Sequence, residues 1–354
     1  MVLTFKFWEE QRAPAQSVQD GTKLRAPHWA AQPWIPNPGH PTPDTNSEVE
    51  AHMRTLIVGA GGTGGAFGKR LIDAGRDITF LVRERRLAQL TANGLTFRDP
   101  SGESTTPVTA VTSIAADTEP FDLILITVKA PALPAVIESI RPAVGPNTRI
   151  LPILNGLDHI DRLSAAYPGQ VLGGLAKIVA TIDDSATVVQ MTPLSSVTIG
   201  TLDGTQVDSK IVDNLSVDGL KLVVADNMLT RLWEKWAFIA SAGVICCLFR
   251  ANIGAILAAG GREAMEAAIA ETERVAAAAG HPVSEQAHAM STGMLLEEGS
   301  QFTSSLYRDL MAGDAAEAEH ILGAMSVRGR QLGVGTPLVD LTLIQIRAGG
   351  GSGI

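Results

Sequence analysis

The sequence has few of the features that mark secreted, membrane-spanning or metal-binding proteins. Its 354 residues include only two cysteines, Cys246 and Cys247, which are adjacent within an apolar run. Adjacent thiols in such a run indicate a protein core and not a disulfide framework, which fits a reducing, cytoplasmic compartment. The longest candidate membrane run, Phe238–Phe249, is 12 residues long, whereas a spanning helix needs about 20. We therefore expect no membrane insertion, and the mixed polar and charged first residues show no secretory signal.

Positive charge and clustered histidine are also scarce. The formal net charge is −9, so no nucleic-acid partner is expected and any anion site has to be a local basic pocket. The seven histidines form no HxxxH pair and lie near no cysteine cluster, which argues against a metal site. Hydrophobic residues make up 45% of the chain and charged residues 18%, as in an ordinary globular protein with room for two domains.

The first 52 residues differ from the rest of the chain. Seven prolines crowd residues 14–43 without a hydrophobic period between them, and proline interrupts both helix and sheet. We predict a disordered tail over residues 1–52 and a second flexible tail over residues 349–354. Trp8, Trp29 and Trp34 leave two interpretations open: the tail docks on the body or on a partner, or translation begins at Met53.

A glycine-rich stretch opens the patterned part of the chain. Residues 53–70 read MRTLIVGAGGTGGAFGKR and combine an apolar strand (55–58), a turn and a helix that we expect to start at Gly65. A strand–GxGxxG–helix unit is typical of a dinucleotide site, whereas the glycines alone would indicate only a turn. Gly59 permits the tight turn, Gly61 lets the backbone approach a pyrophosphate, and Gly64 lets helix and strand pack closely. With Gly62, these are our predicted cofactor-binding glycines, because a helix N-terminus presents unpaired N–H groups to phosphates.

Alternating strand and helix patterns continue beyond this motif. Predicted strands lie at residues 77–82, 121–128 and 149–154, and predicted helices at residues 65–74, 83–92 and 133–140. A hairpin is expected from residues 95–98 and 107–111 around a turn at residues 99–102. This repetition predicts a doubly wound, Rossmann-type parallel sheet.

After about residue 215 the pattern becomes helical. Helical spacing extends over residues 229–249, 262–279, 284–298 and 315–331, and a last helix is expected to begin at Thr336-Pro337. We predict a nucleotide-binding domain over residues 53–220, followed by an all-helical C-terminal domain for substrate and catalysis over residues 221–348.

The end of the second strand distinguishes the two nicotinamide cofactors. An NAD site has an acidic residue there to bind the ribose 2′-OH, but this chain has Arg83-Glu84-Arg85-Arg86 directly after the strand. Guanidinium groups bind a 2′-phosphate with paired, charge-assisted hydrogen bonds. We predict NADP as the cofactor with Arg83 as the 2′-phosphate ligand, against the alternatives of NAD and of a solvated helix start.

A lysine lies within the apolar helical run RLWEKWAFIASAGVICCLF, residues 231–249. Lysine is rarely buried unless it is paired or used. Lys235 either extends its ammonium to solvent or serves as a general acid to a carbonyl oxygen that receives hydride.

Several motifs occur in an order that is similar to one enzyme family. They are GAGGTGG, LVR, TVKA at 127–130, LNG at 154–156, LWEK at 232–235, SSLYRDLMAGDAAEAEHILG at 304–323 and GVGTPLVDLTLIQI at 333–346. Together they resemble the ketopantoate reductases from about residue 53 to residue 347.

The resemblance implies roles for individual residues. Lys235 corresponds to the general acid, Glu317 to a catalytic glutamate that also contacts the cofactor, and Ser305 to a ligand of the substrate carboxylate. Asn155 corresponds to an asparagine beside the nicotinamide ribose and the substrate, and Lys129 to a lysine near the cofactor. Each residue also has a purely structural interpretation as a turn, a strand-end charge or a helix cap.

Three positions depart from the family pattern. Asparagines four and eight residues after the lysine are replaced by Ile239 and Gly243, and a third is replaced by Ile253. The resemblance implies NADPH-dependent reduction of a 2-oxo acid, most directly of ketopantoate to pantoate in pantothenate biosynthesis. The alternatives are the same chemistry on a less polar 2-oxo acid and an NADP-binding, redox-sensing regulator without turnover. The partner is then a small molecule, and the apolar surface of the helical domain is compatible with a homodimer.

Overall fold

The computed structural model describes residues 53–313 and 317–349. These residues belong to one compact unit. The tails predicted for residues 1–52 and 349–354 lie outside the described residues, except for Gly349, which is the last residue of a helix.

The described residues form ten strands and twelve α-helices. The first half contains β1 (Arg54–Val58), α1 (Gly62–Asp73), β2 (Asp77–Leu81), α2 (Glu84–Asn93), β3 (Leu95–Asp99), β4 (Gly102–Thr106), β5 (Thr109–Val111), β6 (Leu123–Ile126), α3 (Leu133–Ser139), β7 (Arg149–Pro152) and α4 (Asp158–Ala166). The second half contains β8 (Leu172–Ile182), β9 (Val188–Thr201), α5 (Ser209–Leu215), β10 (Lys221–Val224), α6 (Met228–Phe249), α7 (Ile253–Ala258), α8 (Arg262–Ala278), α9 (Glu285–Leu295), α10 (Ser305–Met311), α11 (Ala324–Gln331) and α12 (Pro337–Gly349), with a π-helical turn at Glu319–Gly323.

The first sheet is parallel throughout and has the order β5-β2-β1-β6-β7. Its central strands are short apolar runs, and the cross-strand neighbours Ile57, Phe80 and Leu125 are at most 1% exposed. Because the chain leaves β1 toward one side of the sheet and returns on the other side at β6, the carboxyl ends of these two strands border a crevice. The predicted parallel Rossmann-type sheet is confirmed.

A second sheet, which the sequence patterns did not predict, stands beside the first. Its order is β10-β9-β3-β4, and β8 pairs antiparallel with β9 along most of its length. The tip of this long β8–β9 hairpin lies beside the glycine turn, because a Cβ on Gly62 would lie 2.5 Å from the Ala180 carbonyl oxygen of β8. An ion pair between Arg98 of β3 and Asp183 holds the same tip within the second sheet. Polar residues interrupt both strands, which obscured the alternation that identifies a strand.

The core of the C-terminal half is α6, which packs against α8, α10 and α12. By length and composition this 22-residue helix could cross a membrane, but 67% of its apolar window is buried inside the protein. The apolar helix is therefore longer than the 12-residue run predicted from the sequence. Its burial is that of a core helix. Cys246 and Cys247 within it are fully buried free thiols. The predicted helical C-terminal region is confirmed as mostly helical, with strand β10 at its start. The boundaries proposed for the two domains stay predictions.

Two local predictions were wrong. Helix α1 begins at Gly62 and not at Gly65, because Gly61 is its N-cap and its carbonyl already accepts from the Gly65 N–H at 2.8 Å. The hairpin partner of β3 is β4, which begins at Gly102 (φ +147°) directly after a two-residue turn, whereas β5 belongs to the first sheet. The strand β4, GESTT, is exposed and polar, so hydrophobic patterning did not reveal it.

Candidate active site

The glycine turn lies between the carboxyl end of β1 and the start of α1. Gly59 has φ +98°, a conformation that favours glycine. A Cβ on Gly64 would lie 2.0 Å from the Gly59 carbonyl oxygen, so only glycine permits this approach of helix and strand. Thr127, at the end of β6, donates its hydroxyl to the Val58 and Gly59 carbonyls at 3.0 and 2.9 Å. The turn is therefore tied to both strands that border the crevice.

The neighbouring glycines differ in what faces them. A Cβ on Gly61 would meet no atom within 4 Å, whereas a Cβ on Gly62 would lie 2.5 Å from the Ala180 carbonyl oxygen of β8. The first turn of α1 contains no acidic residue, and no side chain caps it. Open space, unpaired N–H groups and the positive end of the helix dipole thus coincide at Gly61, as an anion site requires.

The arginines after β2 occupy different environments. Arg83 is the N-cap of α2 and is exposed. Arg86 is half-buried; its Nε donates to the Ala60 carbonyl at 3.0 Å and its Nη1 to the Ala186 carbonyl at 2.8 Å. Arg86 therefore braces the glycine turn against the hairpin tip, a role that the sequence did not indicate. Arg83 therefore remains the candidate for the 2′-phosphate ligand, because it is exposed near the end of β2. This role stays a prediction.

Lys235 lies half-buried on α6, and charged groups from other elements face it. The pKa of its ammonium is lowered to about 8: burial and the ammonium of Lys177 lower the pKa, and the carboxylate of Glu317 partly offsets them. The structure therefore brings Lys235 and Glu317 together. A half-buried lysine with this pKa can hold and release a proton near neutral pH.

Lys177, which the sequence analysis missed, is the second cation of this site. It lies on β8 opposite Ser196 of β9, which in turn pairs with Lys221 of β10. Burial lowers the pKa of Lys177 to about 8, and the positive charges of Arg231 and Lys221 contribute. A lysine inside the otherwise small and apolar run GGLAKIVATI was the available signal. The same strand carries Ala180, whose carbonyl lies against Gly62. Strand β8 therefore runs from Lys177, beside Lys235, to the glycine turn.

Asn155 is half-buried in the turn that follows β7, beside two histidines. Gly156 has φ +80°, and a Cβ there would lie 3.3 Å from Cδ2 and Nε2 of His320. A ring N–H of His320 donates to the Asn155 backbone carbonyl, yet burial still lowers the pKa of His320. His159 is fully buried, and burial, His320 and Lys235 lower its pKa to about 3. Of the two rings, that of His159 lies within electrostatic range of Lys235.

Ser305 and Lys129 lie on the side of the site formed by α10. Ser304, and not Ser305, caps this helix, because its Oγ accepts from the Tyr307 N–H at 3.1 Å. Ser305 is the exposed first residue of the helix. The Nζ of Lys129, just after β6, lies 3.7 Å from Oδ2 of Asp309 on α10. The ion pair connects the Rossmann-type sheet with the helix that carries Ser305.

Two of the positions that depart from the family pattern, Ile239 and Gly243, lie one turn apart on α6 and form an apolar wall with Leu306 and Leu322. Ile239 is half-buried and packs on the core, four residues after Lys235. A Cβ on Gly243 would lie 3.1 Å from Leu306 and 3.5 Å from Leu322, so leucines fill the space beside this glycine. Ile253 is fully buried.

No described group in residues 53–313 and 317–349 combines three His, Cys, Asp or Glu side chains in an arrangement that could hold a metal ion. The described residues of this site supply an uncapped helix N-terminus with open space at Gly61, a half-buried lysine and polar groups beside it.

Comparison with known proteins decides the family. Residues 55–204 match the family described as ketopantoate reductase PanE/ApbA, and residues 227–349 match the C-terminal part of the same family. This chain belongs to the ketopantoate reductase family. It is accordingly an oxidoreductase of the kind that acts on CH–OH groups, in a family that depends on a nicotinamide cofactor.

Individual relatives span nearly the same length. An uncharacterized oxidoreductase, YkpB, from Bacillus subtilis is 30% identical over 292 residues, which cover 81% of this chain and 96% of that protein. A 2-dehydropantoate 2-reductase from Streptococcus pyogenes is 24% identical over 80% of this chain and 94% of that protein.

Solved structures share the fold. A PanE/ApbA family ketopantoate reductase from Ralstonia eutropha has a TM-score of 0.75 at 20% identity, over 84% of this chain and 98% of that chain. A D-mandelate dehydrogenase, solved with NADH and anilino(oxo)acetate, has a TM-score of 0.74 at 23% identity over the same shares of the two chains. The architecture around the crevice is therefore that of this family.

Proposed function

We propose that this protein catalyses the NADPH-dependent reduction of a 2-oxo acid to a 2-hydroxy acid, with Lys235 as the general acid. The observation that carries the proposal is the half-buried Lys235 ammonium on α6, which lies between the charges of Lys177 and Glu317 and whose pKa is lowered to about 8. A proton donor is most effective when its pKa lies near the working pH. Lys235 meets that condition, whereas an exposed lysine would hold its proton too tightly.

The roles of the other residues follow from their positions. When bound, the nicotinamide supplies a hydride to the C2 carbonyl carbon. The Lys235 ammonium gives a proton to the oxygen at which negative charge develops, and the amine that remains is neutral. Asn155 orients the reacting carbonyl, Ser305 holds the substrate carboxylate through its hydroxyl, and Glu317 holds the proton on Lys235 until it is needed.

The dinucleotide is held at the glycine turn in this proposal. The open space at Gly61 and the uncapped N-terminus of α1 fit a pyrophosphate. Arg83 at the end of β2 favours the 2′-phosphate of NADPH over the free hydroxyl of NADH, because no carboxylate occupies that position. Lys129 supports the cofactor from the end of β6.

The apolar wall bears on the choice of substrate. Ketopantoate, the substrate that would place the enzyme in cytoplasmic pantothenate biosynthesis, carries a hydroxyl, and a site that binds a hydroxyl needs polar partners. At the positions of the family asparagines this chain presents Ile239 and Gly243, with Leu306 and Leu322 behind the glycine. The wall favours a less polar 2-oxo acid.

A panel of 2-oxo acids tests the proposal, with NADPH and NADH oxidation followed in parallel. The panel includes ketopantoate, branched aliphatic 2-oxo acids and an aromatic 2-oxo acid. We expect turnover with NADPH and a higher kcat/KM for apolar side chains than for ketopantoate. Ketopantoate as the best substrate would reject the less polar assignment. Binding of NADPH without reduction of any panel member would instead favour a redox-sensing regulator.

A further inference from the structure

Two histidines beside the proposed active site, one fully buried and one half-buried, have no part in the reaction as described above. His159 on α4 is fully buried, and its ring centroid lies 5.8 Å from that of His320, with the ring planes tilted by 39°. His320 also touches Gly156 and donates to the Asn155 backbone. On its other side, His159 lies within electrostatic range of Lys235. The pair therefore contacts the Asn155–Gly156 turn through His320 and comes within electrostatic range of Lys235 through His159.

The ring nitrogens of this pair lack partners. Both nitrogens of His159 and Nε2 of His320 are buried without a hydrogen-bond partner among the described residues. Buried polar atoms are nearly always satisfied by protein or by ordered water. Three such atoms within two adjacent rings indicate a site for water, which needs two to four polar partners.

The direction of the hydrogen bonds follows from the donors and acceptors. Because Nε2 of His320 has no partner, Nδ1 is the nitrogen that donates to Asn155. A neutral imidazole has one donor and one acceptor, so Nε2 of His320 must accept. His159 then supplies its N–H toward His320 and keeps a lone pair on its other nitrogen. A lysine ammonium has only donors, so Lys235 is the nearby group that can complete the set.

We propose that His159 and His320 are positioning residues that, with ordered water between them, join the Lys235 ammonium to the Asn155 carbonyl in one directional chain of hydrogen bonds. The inference rests on the proposed function, because it assigns the pair to the general acid. The chain aims the Lys235 proton, fixes the Asn155–Gly156 turn, and favours the charged form of the lysine. It does not itself transfer a proton to substrate.

The effect of His159 on the pKa of Lys235 has to be separated from the effects of the other groups near this ammonium. Lys177 faces it from β8, Glu317 from the segment before the π-helical turn, and His159 from α4. An acceptor for the ammonium stabilises the protonated lysine, as Glu317 does, and opposes burial and Lys177. Removing the acceptor should therefore lower the pKa of Lys235.

The test measures the pKa of Lys235 without turnover. The rate at which trinitrobenzenesulfonate modifies Lys235 in the apoprotein is followed against pH by peptide mass spectrometry. His159→Phe keeps a ring but no nitrogen, and we expect the apparent pKa of Lys235 to fall by about one unit. His159→Gln keeps an acceptor and should restore most of the shift. His288→Phe is the control and should leave the pKa unchanged, because exposed His288 pairs with Glu273 elsewhere on the surface.

His320, at the Asn155 end of the proposed chain of hydrogen bonds, gives a second, independent variant. His320→Phe should lower the same pKa, and the double variant should lower it no further than the larger single change, since both break one chain. Thermal denaturation identifies any variant that fails to fold. An unchanged Lys235 pKa in folded His159→Phe and His320→Phe, or equal effects of Phe and Gln at position 159, would overturn the proposal. If the variants shift the pKa of Lys235 but the unaltered protein reduces no 2-oxo acid, the proposed chain of hydrogen bonds stands and the proposed function is rejected.

Discussion

The glycine turn and the Lys235 site are built in opposite ways. The shape of the turn is encoded locally, within the six consecutive residues from Gly59 to Gly64. This segment joins β1 to α1, and its first and last glycines permit the close approach of strand and helix. The Lys235 site is assembled from β8, α6, α4 and the segment at Glu317, which are far apart in sequence. The comparison shows that backbone geometry for an anion can be encoded within a short motif, whereas a tuned proton donor needs distant charges.

The largest expected effect tests the assembled site. Lys235→Ala should lower kcat by about 10²–10⁴, because the developing alkoxide loses its proton donor. The dissociation constant of NADPH, measured by fluorescence titration, should stay near the original value. Lys235→Arg is the matched control: it keeps the positive charge but not an easily released proton, so its kcat should also be low. A normal kcat in either variant would remove Lys235 from the mechanism.

The next effect tests the local site with a pair of equal substitutions. Gly64→Ala places a Cβ 2.0 Å from a carbonyl oxygen, and we expect a loss of ~3 kcal/mol in the free energy of unfolding. At Gly61 a Cβ meets nothing within 4 Å, so Gly61→Ala should fold normally but bind NADPH more weakly. Denaturant titration and cofactor titration separate the two outcomes. Equal stability of both variants would show that the turn tolerates the close approach.

The preference for NADPH over NADH is the next test, and a smaller change is expected there than for the glycine and Lys235 variants. Arg83→Ala should weaken NADPH binding by about 10–100-fold, the value of charge-assisted hydrogen bonds worth ~1.5–3 kcal/mol, and should change NADH binding little. Arg85→Ala, two residues further along the exposed start of α2, is the control for general loss of positive charge. Equal losses for NADPH and NADH, or equal effects of the two arginines, would count against a 2′-phosphate site at Arg83.

The smallest effect is a shift along the pH axis. The general acid must be protonated, so activity should decline as pH rises through the Lys235 pKa of about 8. Lys177 lowers that pKa by like-charge repulsion. Lys177→Gln should therefore raise it, and the alkaline limb of the kcat profile should move to higher pH by about one unit. Lys221→Gln, which acts on Lys177 from the neighbouring strand, should cause a smaller shift. A downward shift in Lys177→Gln would contradict the assigned sign.

The sequence predicted the elements whose signal is local. Strands β1, β2, β6 and β7 are compact apolar runs, and α6, α8 and α12 have helical spacing with recognisable ends. The second sheet escaped because β4 is polar, β9 carries buried polar residues, and the glycines and Lys177 of β8 interrupt the alternation that identifies a strand. The start of α1 was misplaced by three residues because glycines, which usually end helices, begin this one.

The sequence by itself determined the family, the dinucleotide motif and the identity of the candidate acid, because each depends on residues whose order is visible in the chain. Only the tertiary structure decided what surrounds them. It set the pKa of Lys235 by burial and by Lys177 of a strand that no pattern predicted. It gave Arg86, and not Arg83, the task of bracing the glycine turn. It also brought His159 and His320 together, since electrostatic and packing interactions depend on distance in space and not on separation along the chain.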